Sequence, residues 1–391
     1  MSETETLEAE TNLTNWRTHP FCRWSFHHVD HLLHGHLIAA PTQRGPVEQA
    51  GALDLASLAL PSGQSVAEAL ESAYSDAFLV LHRGRIVHES YDGLMAPEDR
   101  HIIFSVSKSV TGALAGILVE EGRLDPERPV TDYIPELANS AWGDATVRHV
   151  LDMVVSIRFI EDYLDPQGDV SRYRVAMDWN PPGNFPYVGG LHSFLPTLPK
   201  DSGPHGAAFH YVSPNSDVLG WILERASGCK FADLLSDRIW RPLGAEADAW
   251  ITVDREGGSR TAGGICTRAR DLARFGEMMR NKGRANGLQI VPESWIKDIL
   301  QNGDRQAWSR GSGLDGLVPT GSYRNQWYLS DAHPGAMIAI GIHGQWIYVD
   351  PRHEVTIIKL SSQPLPEDEA LDTIMLDMFR TIAGHLSETS S

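Results

Sequence analysis

A serine followed three residues later by a lysine puts a hydroxyl and an amine one turn apart on the same face of a helix. Burial there lowers a lysine pKa from its usual ~10.4 towards neutrality, so that the amine can take the serine proton. Three stretches fit: Ser105-Val106-Ser107-Lys108, Ser227-Gly228-Cys229-Lys230 and Ser294-Trp295-Ile296-Lys297. Ser227 and Gly228 close a helical pattern, and Ser294 follows Pro292-Glu293 at a helix start, so both read as helix-end chemistry. Ser105 sits instead between an extended run, Ile102-Ile103-Phe104, and a helical stretch over 105–121. That stretch carries Ser109, Gly112, Ala113, Ala115 and Gly116, the small residues of a helix packed in the middle of a fold. A Ser105 N–H near the start of such a helix could hold an oxyanion. An ordinary N-cap serine would look the same, so partners are required.

Two further elements could supply them. Tyr211, in Phe209-His210-Tyr211-Val212-Ser213, precedes the helical stretch 217–226, and a phenol at such a junction can point into a cleft and relay a proton. A core aromatic is the plainer reading of an isolated tyrosine. Gly341-Ile342-His343-Gly344-Gln345 ends an apolar strand, where glycines let a backbone approach a substrate closely. A tight strand turn would use the same residues. The residue types leave open whether Lys108 or Tyr211 takes the first proton.

The elements that must position these groups come from both ends of the chain. Phe78–Leu81 and Ile86-Val87 flank His82-Arg83-Gly84-Arg85 as a hairpin, and strands are expected at 337–340, 346–350 and 354–360. Helices are expected at 147–154 and 269–279, and Leu371, Ile374, Met375, Met378, Phe379 and Ile382 line one face of a last helix. The fold class is therefore α+β: an antiparallel sheet region (about 66–124 and 251–391) flanked by helices, with a mainly helical insertion (about 125–250). Residues 1–15, acidic and without an apolar run, read as a disordered tail ahead of a single domain over 16–391.

Taken together, Ser105-Val106-Ser107-Lys108, Tyr211-Val212-Ser213 and the Gly341–Gln345 strand end resemble the serine β-lactamase-like superfamily, particularly its class C and esterase branches. Glu161-Asp162-Tyr163-Leu164-Asp165-Pro166 and Thr267-Arg268-Ala269-Arg270-Asp271-Leu272 are similar to stretches of the 6-aminohexanoate-dimer (nylon-oligomer) hydrolases. The likeness runs over about 16–383. It implies an α/β sandwich of β-lactamase/transpeptidase type, Ser105 as nucleophile, Lys108 as activator and Tyr211 as the acid that protonates the leaving group. It implies an oxyanion hole from the N–H groups of Ser105 and Ile342, and substrate contacts from Tyr163, Trp179, Arg174, Ser213, Ala262 and His343. Where the family usually has Tyr-x-Asn this chain has Ser213 in third place, and Ala339-Ile340-Gly341 replaces Lys-Thr-Gly, which argues against β-lactamase activity. Arg174 and Ala262 stand where residues tuning amide recognition are expected.

The reading is thus a serine hydrolase of small linear amides that needs no cofactor and no metal. A short-chain carboxylesterase is the alternative, then a D-peptidase or β-lactamase, then a non-catalytic penicillin-binding-like sensor. The net charge of −18 disfavours nucleic acid and anionic membrane as partners. A small amide or ester is the expected partner, and a homodimer is left open. Cys22, Cys229 and Cys266 form no CxxC pair, which suits a reduced, cytoplasmic setting. No apolar run approaches the ~20 residues of a membrane span. Gly311–Gly316 matches GxGxxG, but no apolar strand precedes it, so no dinucleotide site is read there. The histidines between His27 and His36 lack a metal-ligand spacing beyond His27 and His31.

Overall fold

The computed structural model describes residues 2–42, 45, 47–186, 189–311 and 317–388. Gly311 apart, the Gly311–Gly316 stretch therefore lies outside the described residues. The main sheet has seven antiparallel strands, β1 (Ser75–His82), β2 (Arg85–Tyr91), β3 (Gly321–Arg324), β4 (Trp327–Ser330), β5 (Met337–Gly341), β6 (Gln345–Asp350) and β7 (Val355–Ser361). Their order is β2-β1-β7-β6-β5-β4-β3, so the first hairpin of the chain pairs with its last strand. Arg83 and Gly84, both at positive φ, turn that hairpin.

Both faces of the central strands are apolar because each covers a layer of helices. Leu79, Leu81, Ile347, Val349 and Ile358 join one core, while Phe78, Val80, Trp346, Tyr348 and Ile357 join the other. Four helices matter for the site: α1 (Val106–Glu120), α2 (Ser213–Ser227), α3 (Ala269–Arg280) and α4 (Glu369–Glu388). Helix α3 packs on the first face, against β7, β6 and β1. Helix α4 covers the second with Met375, Met378, Phe379 and Ile382. Gly228, left-handed at φ 73°, ends α2, so Ser227 is a helix-end residue as its neighbours suggested.

Helix α1 is buried along its length, and its small residues admit neighbouring chain. A Cβ on Gly112 would lie 2.3 Å from the Asn325 carbonyl oxygen, and one on Gly116 would lie 2.4 Å from the Trp295 ring. Gly112→Ala gains helix propensity of about 1 kcal/mol, but the backbone of Asn325 cannot swing aside. A net loss of about 1–3 kcal/mol is expected, and denaturant unfolding of the variant against wild type measures it.

Two expectations differ from the structure. Residues 3–10 form a helix, not a disordered tail: Ser2 and Glu5 close a capping box, Leu7 is buried, and Glu3 pairs with Arg23. A second, four-stranded sheet, Gly35–Ile38, Ala249–Thr252, Ile265–Thr267 and His101–Ile102, was not anticipated. Its strands are two to four residues long and far apart in sequence, too short to show a period. A four-residue helix, Cys22–Ser25, precedes the His27–His36 stretch, which holds a 3₁₀ turn at Val29–His31. His28 stacks on Trp24, and His27 is buried against the Arg23 carbonyl. Among the described residues no helix is long and apolar enough to cross a membrane.

Candidate active site

Ser105 lies at the junction of the short strand His101–Ile102 and helix α1. Phe104, just before it, is held at φ +40°, a strained conformation for an aromatic residue that makes the turn sharp. Its ring is fixed among Trp16, Phe26, Trp179 and His343. One turn along α1, Lys108 Nζ lies 2.7 Å from Ser105 Oγ and 2.7 Å from the Ala262 carbonyl oxygen. The carbonyl uses one N–H and leaves the remaining contact aimed at the serine. Burial brings the Lys108 amine down to about 7, against the pull of Glu161 and Asp217.

Tyr211 stands over this pair, its ring centroid 5.0 Å from Lys108 Nζ. Burial pushes its phenol above the ordinary value, the Glu161 charge adds to that, and hydrogen bonds with Ser105 and Tyr328 oppose it. The phenol therefore keeps its proton. The end of β5 closes the other side: a Cβ on Gly341 would lie 2.8 Å from the Ile103 carbonyl oxygen and 3.2 Å from the Ser105 nitrogen, so glycine suits this approach. Ile342 follows it and lines the same cavity of about 550 Å³ with Ser105 and Tyr211. A hydroxyl, a buried amine whose charge is disfavoured by burial, a phenol and two backbone positions gathered about Ser105 form the equipment of acyl transfer.

Residues 64–378 match the family model described as Beta-lactamase. The chain belongs to that β-lactamase family. It is 38% identical over 377 residues to the 6-aminohexanoate-dimer hydrolase of Paenarthrobacter ureafaciens, covering 95% of this chain and 94% of that protein. A solved structure of a candidate 6-aminohexanoate-dimer hydrolase from Bacillus anthracis superposes with a TM-score of 0.88 at 29% identity, over 97% and 98% of the two chains. A family VIII carboxylesterase shares the fold at a TM-score of 0.60 and 15% identity, over 85% and 99%. The protein is accordingly a serine hydrolase of the β-lactamase fold.

Against that family background, the other residues singled out in the sequence fall in two groups. Tyr163, Trp179, Arg174, Ser213 and Ala262 line a narrow slot that opens beside Ser105. Ala262 contributes its backbone: its carbonyl holds Lys108 and its N–H donates to Asp217. Ser213 donates from both its N–H and its hydroxyl to Glu161. His343 is the exception. Its ring is buried against Phe26 and Phe104, Nδ1 meets the Gln363 carbonyl oxygen, and burial lowers its pKa to about 3. It takes the left-handed position of the turn between β5 and β6 and does not line the cavity over Ser105. It lines instead a second cavity that shares Tyr163 and Arg174 with the slot.

Two carboxylates escaped the sequence reading as site residues. Glu161 accepts from Ser213 and from the Tyr163 phenol, and lines both the cavity and the slot. Asp217, on α2, accepts from Ala262 N–H and Arg260, so it fixes the loop whose carbonyl orients Lys108. Neither stands in a motif with a spacing of its own. Glu161 belonged to a stretch already noted as family-like, which was the available signal.

Proposed function

We propose that this enzyme hydrolyses small linear amides of the aminohexanoate-dimer type through an acyl-enzyme on Ser105. The observation that carries the reading is the 2.7 Å contact between Ser105 Oγ and a Lys108 amine brought to about 7. In the neutral form the serine hydroxyl donates to that nitrogen. As Oγ attacks the carbonyl carbon, the proton passes to Lys108 and the carbonyl oxygen takes the negative charge, facing the N–H groups of Ser105 and Ile342. Collapse breaks the C–N bond, and Tyr211 gives its proton to the leaving nitrogen and recovers one from the Lys108 ammonium. Water then repeats the sequence on the ester, and Ser105 regains its proton. Amides, whose leaving nitrogen must be protonated, gain most from a phenol held in its acid form. The relative at 38% identity supports the substrate class. The three unpaired cysteines fit a reducing, cytoplasmic setting.

The test is turnover of the linear aminohexanoate dimer beside a p-nitrophenyl short-chain ester. Release of 6-aminohexanoate from the dimer is the expected outcome. Turnover of the ester alone would replace the amidase reading with a carboxylesterase using the same residues.

A further inference from the structure

Charge is sorted along the substrate path. The cavity over Ser105 and Tyr211 is lined by Glu161, Asp162, Glu367 and Asp372, and among the described residues by no lysine or arginine. Beyond the slot, a second cavity of about 600 Å³ shares the Tyr163 wall and has the opposite character. It is lined by Arg17 and Arg174, and among the described residues by no aspartate or glutamate. In a chain with 51 acidic and 33 basic residues, such an uncompensated basic hollow is unexpected.

Both guanidinium groups are held in place by backbone and aromatic contacts. Arg174 donates to the Tyr163 carbonyl oxygen at 3.1 Å, with its guanidinium 5.8 Å from the Tyr163 ring. Arg17 donates to the Trp179 carbonyl oxygen at 3.0 Å and to the Asn180 side chain, and lies 4.6 Å from the Trp16 ring. Among the described residues neither has a carboxylate within ion-pair distance. Burial lowers both pKa values; the Arg174 charge lowers Arg17 further, while Tyr163 and the field of Glu161 partly offset burial at Arg174. Two rigid, partly buried cations without a counter-ion are a cost to the fold that an anionic ligand would relieve.

Arg174 and Ser105 line the same slot, whereas Tyr211 does not line it. The cavity over Ser105 and the basic cavity share the walls of Tyr163 and Pro366, so a substrate whose leaving group sits under Tyr211 can extend its acyl chain along that wall towards the guanidinium pair. We propose that Arg17 and Arg174 form a carboxylate subsite for the far end of the acyl group, so that this enzyme prefers ω-carboxyacyl to ω-aminoacyl substrates. The subsite rests on the Ser105 acyl-enzyme reading, and it makes the aminohexanoate dimer, whose acyl half ends in an ammonium, a slower substrate than an amide of the same length whose acyl half ends in a carboxylate. Planar guanidinium forks suit a carboxylate, and the same pair repels an acyl chain ending in an ammonium.

Three p-nitrophenyl esters test it: the monoester of adipic acid, the ester of 6-aminohexanoic acid and the ester of hexanoic acid. They share a leaving group and differ in the terminal charge. In wild type, kcat/KM for the adipate ester should exceed that for the aminohexanoate ester by about tenfold or more, with a ratio that shrinks as salt is raised. Arg174→Met should bring the ratio within about threefold, and Arg174→Glu should invert it, each read as a ratio so that a change in overall rate cancels. Arg17→Met supplies an independent reading should an Arg174 variant fail to fold. Equal or reversed preference in wild type, or a ratio untouched in every soluble variant, overturns the subsite. The ester readout separates the two proposals: a persistent charge preference with no amide turnover retires the amidase reading alone. Ester turnover that survives loss of the Ser105 hydroxyl, or is absent from wild type, retires the acyl-enzyme and the subsite with it.

Discussion

Ser105→Ala is expected to lower turnover of every substrate to below about one ten-thousandth of wild type, because the proposed acyl intermediate forms on its Oγ. The substitution removes one hydroxyl from a residue already 8% exposed, and Lys108 keeps its contact with the Ala262 carbonyl oxygen. Stability therefore changes by no more than about 1 kcal/mol, and Tm by no more than about 3 °C. Fluorophosphonate labelling gives a second readout. Wild type gains one covalent mass increment at Ser105, and the variant gains none. A variant that folds normally and retains turnover, or a label on Ser227 or Ser294 in its place, would remove Ser105 from the mechanism. The other two Ser-x-x-Lys matches make this control specific. Ser227 bonds back to the Leu223 carbonyl oxygen at the end of α2, so its hydroxyl is occupied in a helix end.

What the sequence shows of this site is what lies within one helical turn or one strand. Ser105 and Lys108 are legible because a helix converts a spacing of three into proximity, and the small residues of α1 announce the close neighbours that bury the lysine. The strands from 75 to 91 and from 337 to 361 are legible because they are long enough to alternate between two cores. Partners set by tertiary approach are hidden. Asp217 acts on Lys108 only through the Ala262 peptide, and Glu161 reaches Ser213 across 52 positions. Trp16 donates its indole N–H to the Trp179 carbonyl oxygen, tying the N-terminal segment to the back of the slot. That contact, just past the stretch that reads as a tail, holds Arg17 on the Trp179 carbonyl oxygen at the wall of the second cavity. His343 shows how tertiary approach redirects a residue next to a strand end: it faces away from the cavity over Ser105 and lines the one that holds Arg17 and Arg174.

The pH profile decides which group takes the first proton. With the Lys108 amine at about 7, its neutral, proton-accepting form grows as pH rises through that value. kcat/KM should therefore climb about tenfold per unit below pH 7 and level off above it. The Tyr211 phenol is pushed above its ordinary range, so the acid is not lost within the working range and the plateau should extend past pH 9. A phenolate base would instead place the rising limb above pH 10. Lys108→Met should reduce kcat/KM by about 10²–10⁴ and erase the limb. Lys108→Arg should be as poor, since a guanidinium keeps its proton throughout. Stability supplies a check that does not depend on turnover. Lys108 titrates at about 7 when folded and at ~10.4 when unfolded. Between those values the unfolded chain binds more protons, and stability must rise with pH. Lys359, buried on β7 and also brought to about 7, adds a slope of the same sign. Lys108→Met should remove one share of that slope and leave the share of Lys359. Urea unfolding of both proteins from pH 6.5 to 9.5 measures the difference. An unchanged slope would mean that Lys108 stays charged in the folded enzyme, and the first proton would have to go elsewhere.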